Sequence, residues 1–282
     1  MTDFASRPAV AAATPSRLPS TPGLWRGSSV PTQIRVLTVR SLRALVGDTR
    51  AVVLALLMPV IMLVLFSQVF SSLASGSSFP AGVSYIDYLL PAILVNTAMQ
   101  TALQTGVRLT QDIDSGVLSR LRTLPIWLGS VLVARSLSDL VRGAIQLLII
   151  VALAAAVFGY SAAGGITGLM AAVALALIVG AGLGWVFLAV ATWLRNADLM
   201  QSFGMIAMFP LMFASSAYVP IAALPGWLQV VARANPMTYA VDAARNLCLG
   251  QPVGSAALIA IVISIACAAG GGVVASRGIR RP

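Results

Sequence analysis

Asn96, Gln100 and Gln104 recur at every fourth position, so on a helix they share one face, with Thr97, Thr101 and Thr105 beside them. Amides and hydroxyls in that pattern bind polar groups or water but do not exchange protons near neutral pH. Asp242 and Arg245 stand three apart, a spacing at which they can pair. Little other chemistry is available. All 18 basic residues are Arg, all 8 acidic residues are Asp, and there is no Lys, Glu or His. Without Lys the chain cannot build a P-loop of its own. Without His it lacks a Ser–His or Cys–His nucleophile pair and any imidazole metal ligand, so no catalytic residue, metal site or cofactor is expected in it. Cys248 and Cys267 are the two cysteines, and Cys267 lies in an apolar run, so no structural disulfide is expected. The Arg residues are scattered between uncharged runs, which argues against a nucleic-acid stripe. Consistent use of Arg and Asp fits a GC-rich, bacterial genome.

The elements that must hold these groups are apolar. Of 282 residues 59% are hydrophobic and 9% charged, and mean hydropathy is +0.93. A soluble domain is nearer ~25% charged. Water could not be kept off this much apolar surface, so the chain reads as an all-α polytopic membrane protein. Residues 1–33 are rich in Ala, Pro, Ser and Thr and read as a disordered cytoplasmic tail. Charges then divide the chain into uncharged runs. At ~20 residues per crossing, these predict six spans at about 51–70, 88–107, 143–162, 168–194, 200–219 and 253–276. With the N-terminus inside, 16 Arg fall on the cytoplasmic side and only Arg233 and Arg245 outside, so both termini are expected in the cytoplasm of a cell-membrane protein.

Three segments are not spans. Residues 34–47 place Ile34, Leu37, Leu42 and Leu45 on one side of a helix and Arg35, Arg40 and Arg43 on the other, an interfacial helix. In the inner loop, Val117, Leu118, Leu121 and Leu124 sit at helical spacing before Pro125, with Arg120 and Arg122 between them. Such a helix suits either a groove in another protein or the lipid surface. Outside, Pro220, Pro225, Gly226 and Asn235-Pro236 divide an apolar stretch into two short helices, about 226–234 and 237–248, dipping back into the outer leaflet. Asp242 and Arg245 on the second would both be poorly solvated and would relieve each other.

Certain of these residues carry a resemblance. They are Asp114-Ser-Gly116 through Leu121-Arg-Thr-Leu-Pro125, then Val219-Pro220, Leu224-Pro-Gly-Trp227, and Asn235-Pro-Met-Thr-Tyr-Ala240 through Arg245. In combination they resemble the permeases of type-2 ABC exporters, especially the daunorubicin/doxorubicin-resistance branch, over about 34–279. Asp112 and Asp114 stand where that family often has Glu. The resemblance implies six spans, an N-terminal interfacial helix, a coupling helix at Asp114, Gly116, Val117, Leu118, Arg120, Leu121, Arg122, Leu124 and Pro125, and a re-entrant outer gate. The gate would hold Trp227, Asn235, Pro236, Tyr239, Asp242 and Arg245. It also implies a separate cytosolic ATPase subunit carrying ATP and Mg, and a second permease copy or paralogue. The cargo would be a hydrophobic or amphiphilic drug, antibiotic or lipid, or else a lipid-linked glycan.

Asn96, Gln100 and Gln104, with Met208, Phe209 and Met212 beside Pro210, are the candidate pathway. The polar stripe serves equally well as interhelical hydrogen bonding. An ion-gradient transporter is the alternative class. It wants a membrane-embedded carboxylate, and none of the six predicted spans holds one.

Overall fold

A computed structural model describes residues 29–47, 49–69, 83–117 and 128–279. The described residues form nine α-helices: α1 Val30–Gly47, α2 Thr49–Val69, α3 Tyr85–Asp114, α4 Leu128–Phe158, α5 Gly165–Leu194, α6 Ala197–Phe213, α7 Gly226–Ala234, α8 Pro236–Leu249 and α9 Ala256–Gly278. There is no strand among them, and one short 3₁₀ turn, Ile221–Ala223, precedes α7. The expected tail, apart from residues 29–33, and most of the expected coupling helix (118–127) lie outside the described residues.

Local signals fix several boundaries. Ser84 and Asp87 form a reciprocal capping box at the start of α3. The Asn196 side chain accepts from the Leu199 amide at 2.9 Å and starts α6. Gly159 and Gly165, both with positive φ, bracket the turn between α4 and α5 where the sequence predicts it.

α5 is the axis of the bundle. It packs against α9 and α3, with further contacts to α8, α4 and α6. Its glycines set those approaches. A Cβ on Gly180 would meet the Ala98 carbonyl oxygen at 2.8 Å, and one on Gly182 would meet that of Ser264 at 2.5 Å. Gly184 has room, its nearest neighbour atom at 3.9 Å. The small-residue stripe is thus a contact within the chain, with α3 on one side and α9 on the other. Gly271 likewise sits on the backbone of Trp185 and Val186.

Among the described residues three helices are long and apolar enough to cross a membrane: Gly129–Phe158, Gly165–Leu194 and Ala256–Gly278. Val53–Val69 and Ala197–Phe213 are apolar but shorter. Two departures from the sequence expectations matter. α6 ends at Phe213, where the sequence predicts a span to about 219; residues 214–218 are non-helical and buried. α4 begins well before 143, so Asp139 lies on a helix long enough to span, contrary to the expected carboxylate-free set.

Replacing Gly182 by Ala should destabilise the protein by about 1–3 kcal/mol through overpacking, while Gly184→Ala stays close to the parent. Thermal unfolding midpoints of the two variants in the same detergent check this.

Candidate functional site

α3 and α4 run antiparallel and are joined by polar rungs. Arg108 binds Asp139 at 3.2 Å, Asp112 binds Arg135, and the Thr101 hydroxyl donates to Gln146 at 3.4 Å. The residue numbers of each rung add to the same total, so one register holds over three turns. Gln146 also donates to the Ala55 carbonyl of α2 at 3.0 Å.

Between these three helices lies a cavity of about 600 Å³. Its α3 wall carries Asn96, Thr97, Gln100, Thr101 and Gln104, ending at Arg108. Its α2 wall carries Leu54, Ala55, Met58, Pro59 and Met62, and Met212 of α6 joins them. Among the described residues, Asn96, Gln100 and Gln104 make no hydrogen bond across to another helix; Thr101 does. The buried Thr97 hydroxyl also lacks a partner. The polar stripe therefore faces a space, where the sequence left interhelical bonding equally open. Met212 lies on the wall. Met208 is buried in the core instead, and Phe209 is exposed, tilted against Phe213 at 4.6 Å. Residue 209 lies about 100° round α6 from 208 and so leaves the packed side, while 212, one turn past 208 and beyond Pro210, reaches the cavity edge.

Toward the end of α3 that bears Tyr85, aromatic rings continue beyond the cavity. Phe66, one turn beyond Met62, lies 4.8 Å from Tyr218, which is 5.6 Å from Phe213. Behind them is the non-helical segment. Its carbonyls are claimed by side chains from α3, from α8 and from the junction between α7 and α8. Arg245 donates from Nη2 to Ser216 O at 2.8 Å and from Nε to Tyr88 O at 3.1 Å. The Tyr88 hydroxyl also reaches Ser216 O, at 2.9 Å, and the Tyr85 hydroxyl reaches Tyr218 O at 3.2 Å. Asn235 donates to Leu211 O and Ala214 O at 2.8 and 2.6 Å, while its own oxygen caps α8 by accepting from Met237 N at 2.9 Å. Pro236 follows at the first helical position, where its missing N–H costs nothing. The Arg245 guanidinium lies 3.5 Å from the centre of the Tyr88 ring.

The expected ion pair is present, with Arg245 Nη1 2.9 Å from Asp242 Oδ1. It is asymmetric, and here the sequence expectation needs correcting: the Arg245 side chain is 9% exposed but that of Asp242 is 38% exposed. Asp242 is oriented by the Ser216 hydroxyl at 2.6 Å. Tyr239 donates to the Arg233 carbonyl at 2.8 Å and so ties α8 to α7. Trp227 stands apart on an exposed face of α7 with Val230 and Val231.

The interfacial helix also finds a protein partner. α1 packs on α4, burying Gln33 and Thr38 and bringing the Thr38 hydroxyl to 3.5 Å from the Ala134 carbonyl. Arg35, Val36 and Val39 are exposed; Arg40 and Arg43 fall on the same helix, with side chains outside the described residues. Of the expected coupling residues, Asp114 ends α3, Gly116 has φ +71 and Val117 is half-buried. Leu118, Arg120, Leu121, Arg122, Leu124 and Pro125 lie outside the described residues.

Comparison with known proteins follows the same elements. The model of the ABC-2 type transporter family matches residues 32–249, from α1 through α8. The chain belongs to that family. It is 33% identical over 199 residues to the daunorubicin resistance ABC transporter permease protein DrrB1 of Streptomyces coeruleorubidus, covering 69% of this chain and 67% of that one. It is 24% identical over 239 residues to the probable doxorubicin resistance ABC transporter permease protein DrrC of Mycobacterium tuberculosis, covering 85% and 84%. The putative transport permease ycf38 of Porphyra purpurea is 28% identical over 192 residues, covering 68% and 65%. An ABC-2 permease is a membrane transport protein, and the apolar helices agree with that.

Sequence reasoning missed Tyr88, Ser216, Arg142 and Gln146. Gln146 had a signal: it is the one amide in an otherwise apolar stretch of α4. Tyr88 and Ser216 had none, because their roles depend on a chain reversal far away in sequence.

Arg245→Ala leaves Ser216 O and Tyr88 O short of a charged donor and should cost about 2–4 kcal/mol. Asp242→Ala should be much milder, since that carboxylate is partly hydrated. The double variant should melt close to Arg245→Ala alone; unfolding midpoints of the three proteins measure it.

Proposed function

We propose that this chain is the membrane-spanning subunit of an ATP-driven exporter, moving a hydrophobic or amphiphilic compound and energised by a separate cytosolic ATPase. The cavity between α2, α3 and α4 carries the proposal. It pairs an apolar methionine-rich wall with a polar wall whose amides are left unbonded, as a path for an amphiphile would require. The lack of any Lys, and so of a P-loop, supports an energy source on another chain. The permease names of the drug-resistance relatives support a cargo with a large apolar body.

In this scheme both termini are cytoplasmic and six segments cross the membrane, with α2, α3 and α6 completing the three helices of full spanning length. The rungs between α3 and α4 then stand toward the inner side. The aromatic cluster of Phe66, Phe213 and Tyr218 stands toward the outer side, where it closes the cavity. The loop after Asp114 meets the ATPase, with α1 beside it on α4. A second copy or paralogue would cover the exposed apolar faces of α2 and α6. In the ion-gradient alternative Asp139 would be the carboxylate to carry the proton: its Oδ1 meets Arg108, and its buried Oδ2 makes no hydrogen bond.

Leu121→Asp tests the coupling. Burying a Leu is worth ~1.5–3 kcal/mol, so ATPase co-purification should fall by about tenfold or more while permease abundance stays normal. Arg120→Ala and Arg122→Ala should be milder and salt-sensitive. Full ATPase recovery and full export from Leu121→Asp would move the coupling role to α1. Orientation is tested by labelling: Ser77→Cys should react with an impermeant maleimide on intact cells, and Ser119→Cys only after permeabilisation.

A further inference from the structure

The cavity is graded along its length. From Arg108 to Ile93 its α3 wall rises roughly 22 Å at 1.5 Å per residue. Two guanidiniums, Arg108 and Arg142, stand at one end, and Ile93, Met62 and Met212 at the other. Among the described residues no carboxylate lines it: Asp139, which pairs with Arg108, faces a small neighbouring crevice. Asp112 is occupied by Arg135 and Asp242 by Arg245, so among the described residues Arg142 has no acid partner. Along the rungs Arg108 meets Asp139 and Arg135 meets Asp112, while Asp114 is exposed at the end of α3; Arg142 makes no ion pair among the described residues and stands on the cavity wall. A half-buried Arg on a helix long enough to span a membrane is costly unless an anion or water meets it. Gln104 is beside it, with its amide unbonded to protein.

We propose that this cavity selects amphiphiles with an acidic oxygen head, seated on Arg142 beside Arg108, with the apolar body lying along α2 toward Met62 and Met212. A carboxylate or a phosphate monoester on an apolar chain satisfies the fork of Arg142 and accepts from Gln104. An amine head is repelled there and finds no acid. The proposal rests on reading the cavity as the export path, and specifies what that path prefers.

The test uses the full chain in phosphatidylcholine nanodiscs, without ATP or partner, and dodecanoate carrying a diazirine at its tail end. Photolysis should label the α2 peptide around Met58 and Met62. Dodecanoate and dodecyl phosphate should each compete about tenfold more effectively than methyl dodecanoate or dodecylamine, the ratio expected for one charge-assisted contact. Inorganic phosphate, having no tail, should not compete. Arg142→Gln should cut labelling by about tenfold, and Arg142→Lys, which keeps the charge but loses the fork, should fall between Arg142→Gln and the parent. If Arg142→Gln does not insert, the head-group series on the parent chain decides alone. Equal competition by dodecylamine and dodecanoate, or labelling confined to the outer faces of α5 and α9, overturns the proposal. Head-independent labelling of α2 would remove the acidic preference and leave export standing. Absence of ATP-driven export with labelling still acid-selective would instead fault the export reading.

Discussion

Backbone carbonyls that leave a helix inside an apolar molecule must find donors, because neither lipid nor side-chain hydrocarbon supplies any. Between Phe213 and Pro220 the chain does this in the interior, and Arg245 is the main answer. One guanidinium donates to carbonyls on two segments and to a carboxylate on its own helix, while covering the face of Tyr88. Asn235 performs the complementary task, taking the last carbonyls of α6 with its amide nitrogen and starting α8 with its amide oxygen. These contacts fix the N-terminal end of α8, whose buried face packs on α3, α5 and α9, and through Asn235 they fix its junction with α7. The position of Tyr218 depends on them too, and with it the ring cluster that ends the cavity.

At the opposite end the charges are distributed to leave the cavity positive. The rungs from α3 to α4 fix the register of two helices and give each of Asp112 and Asp139 an Arg partner. Gln146 adds a third tie, to α2, so the cavity has two walls held by polar bonds and one adaptable apolar wall. Met58 and Met62 there flank Pro59 within an unbroken α2, and their flexible thioethers are able to repack. The glycine contacts of α5 do the reverse: they allow close backbone approach and make that side of the bundle rigid.

Periodicity made the helices readable from sequence. The turn at 159–165, the two short helices after 220, and the shared face of Asn96, Gln100 and Gln104 all follow from spacing and from Gly and Pro. Run length was a poorer guide. It carried the fifth span past Phe213, because apolar Ala, Tyr and Val continue there, while the helix is ended by donors that arrive from Asn235 and Arg245. It also started the third span after the last charge, whereas α4 runs through Asp139 because Arg108 is there to meet it. Which of Met208, Phe209 and Met212 faces the cavity depended on the phase of α6 against α3, set in part by Gly204 on Leu103. The asymmetry between Arg245 and Asp242 had no local signal, since the partners of Arg245 lie far off in the chain.

The central claim is that this chain forms the path and another chain supplies the energy. Reconstitution in liposomes tests it most directly, with ATP hydrolysis and movement of a fluorescent amphiphile read in the same vesicles, for the purified chain alone and for the chain with the ATPase that co-purifies with it. The account predicts neither activity from the chain alone, and both together once the ATPase is present. ATP hydrolysis by the chain alone, or movement of the amphiphile driven by an ion gradient with no ATPase, would contradict it.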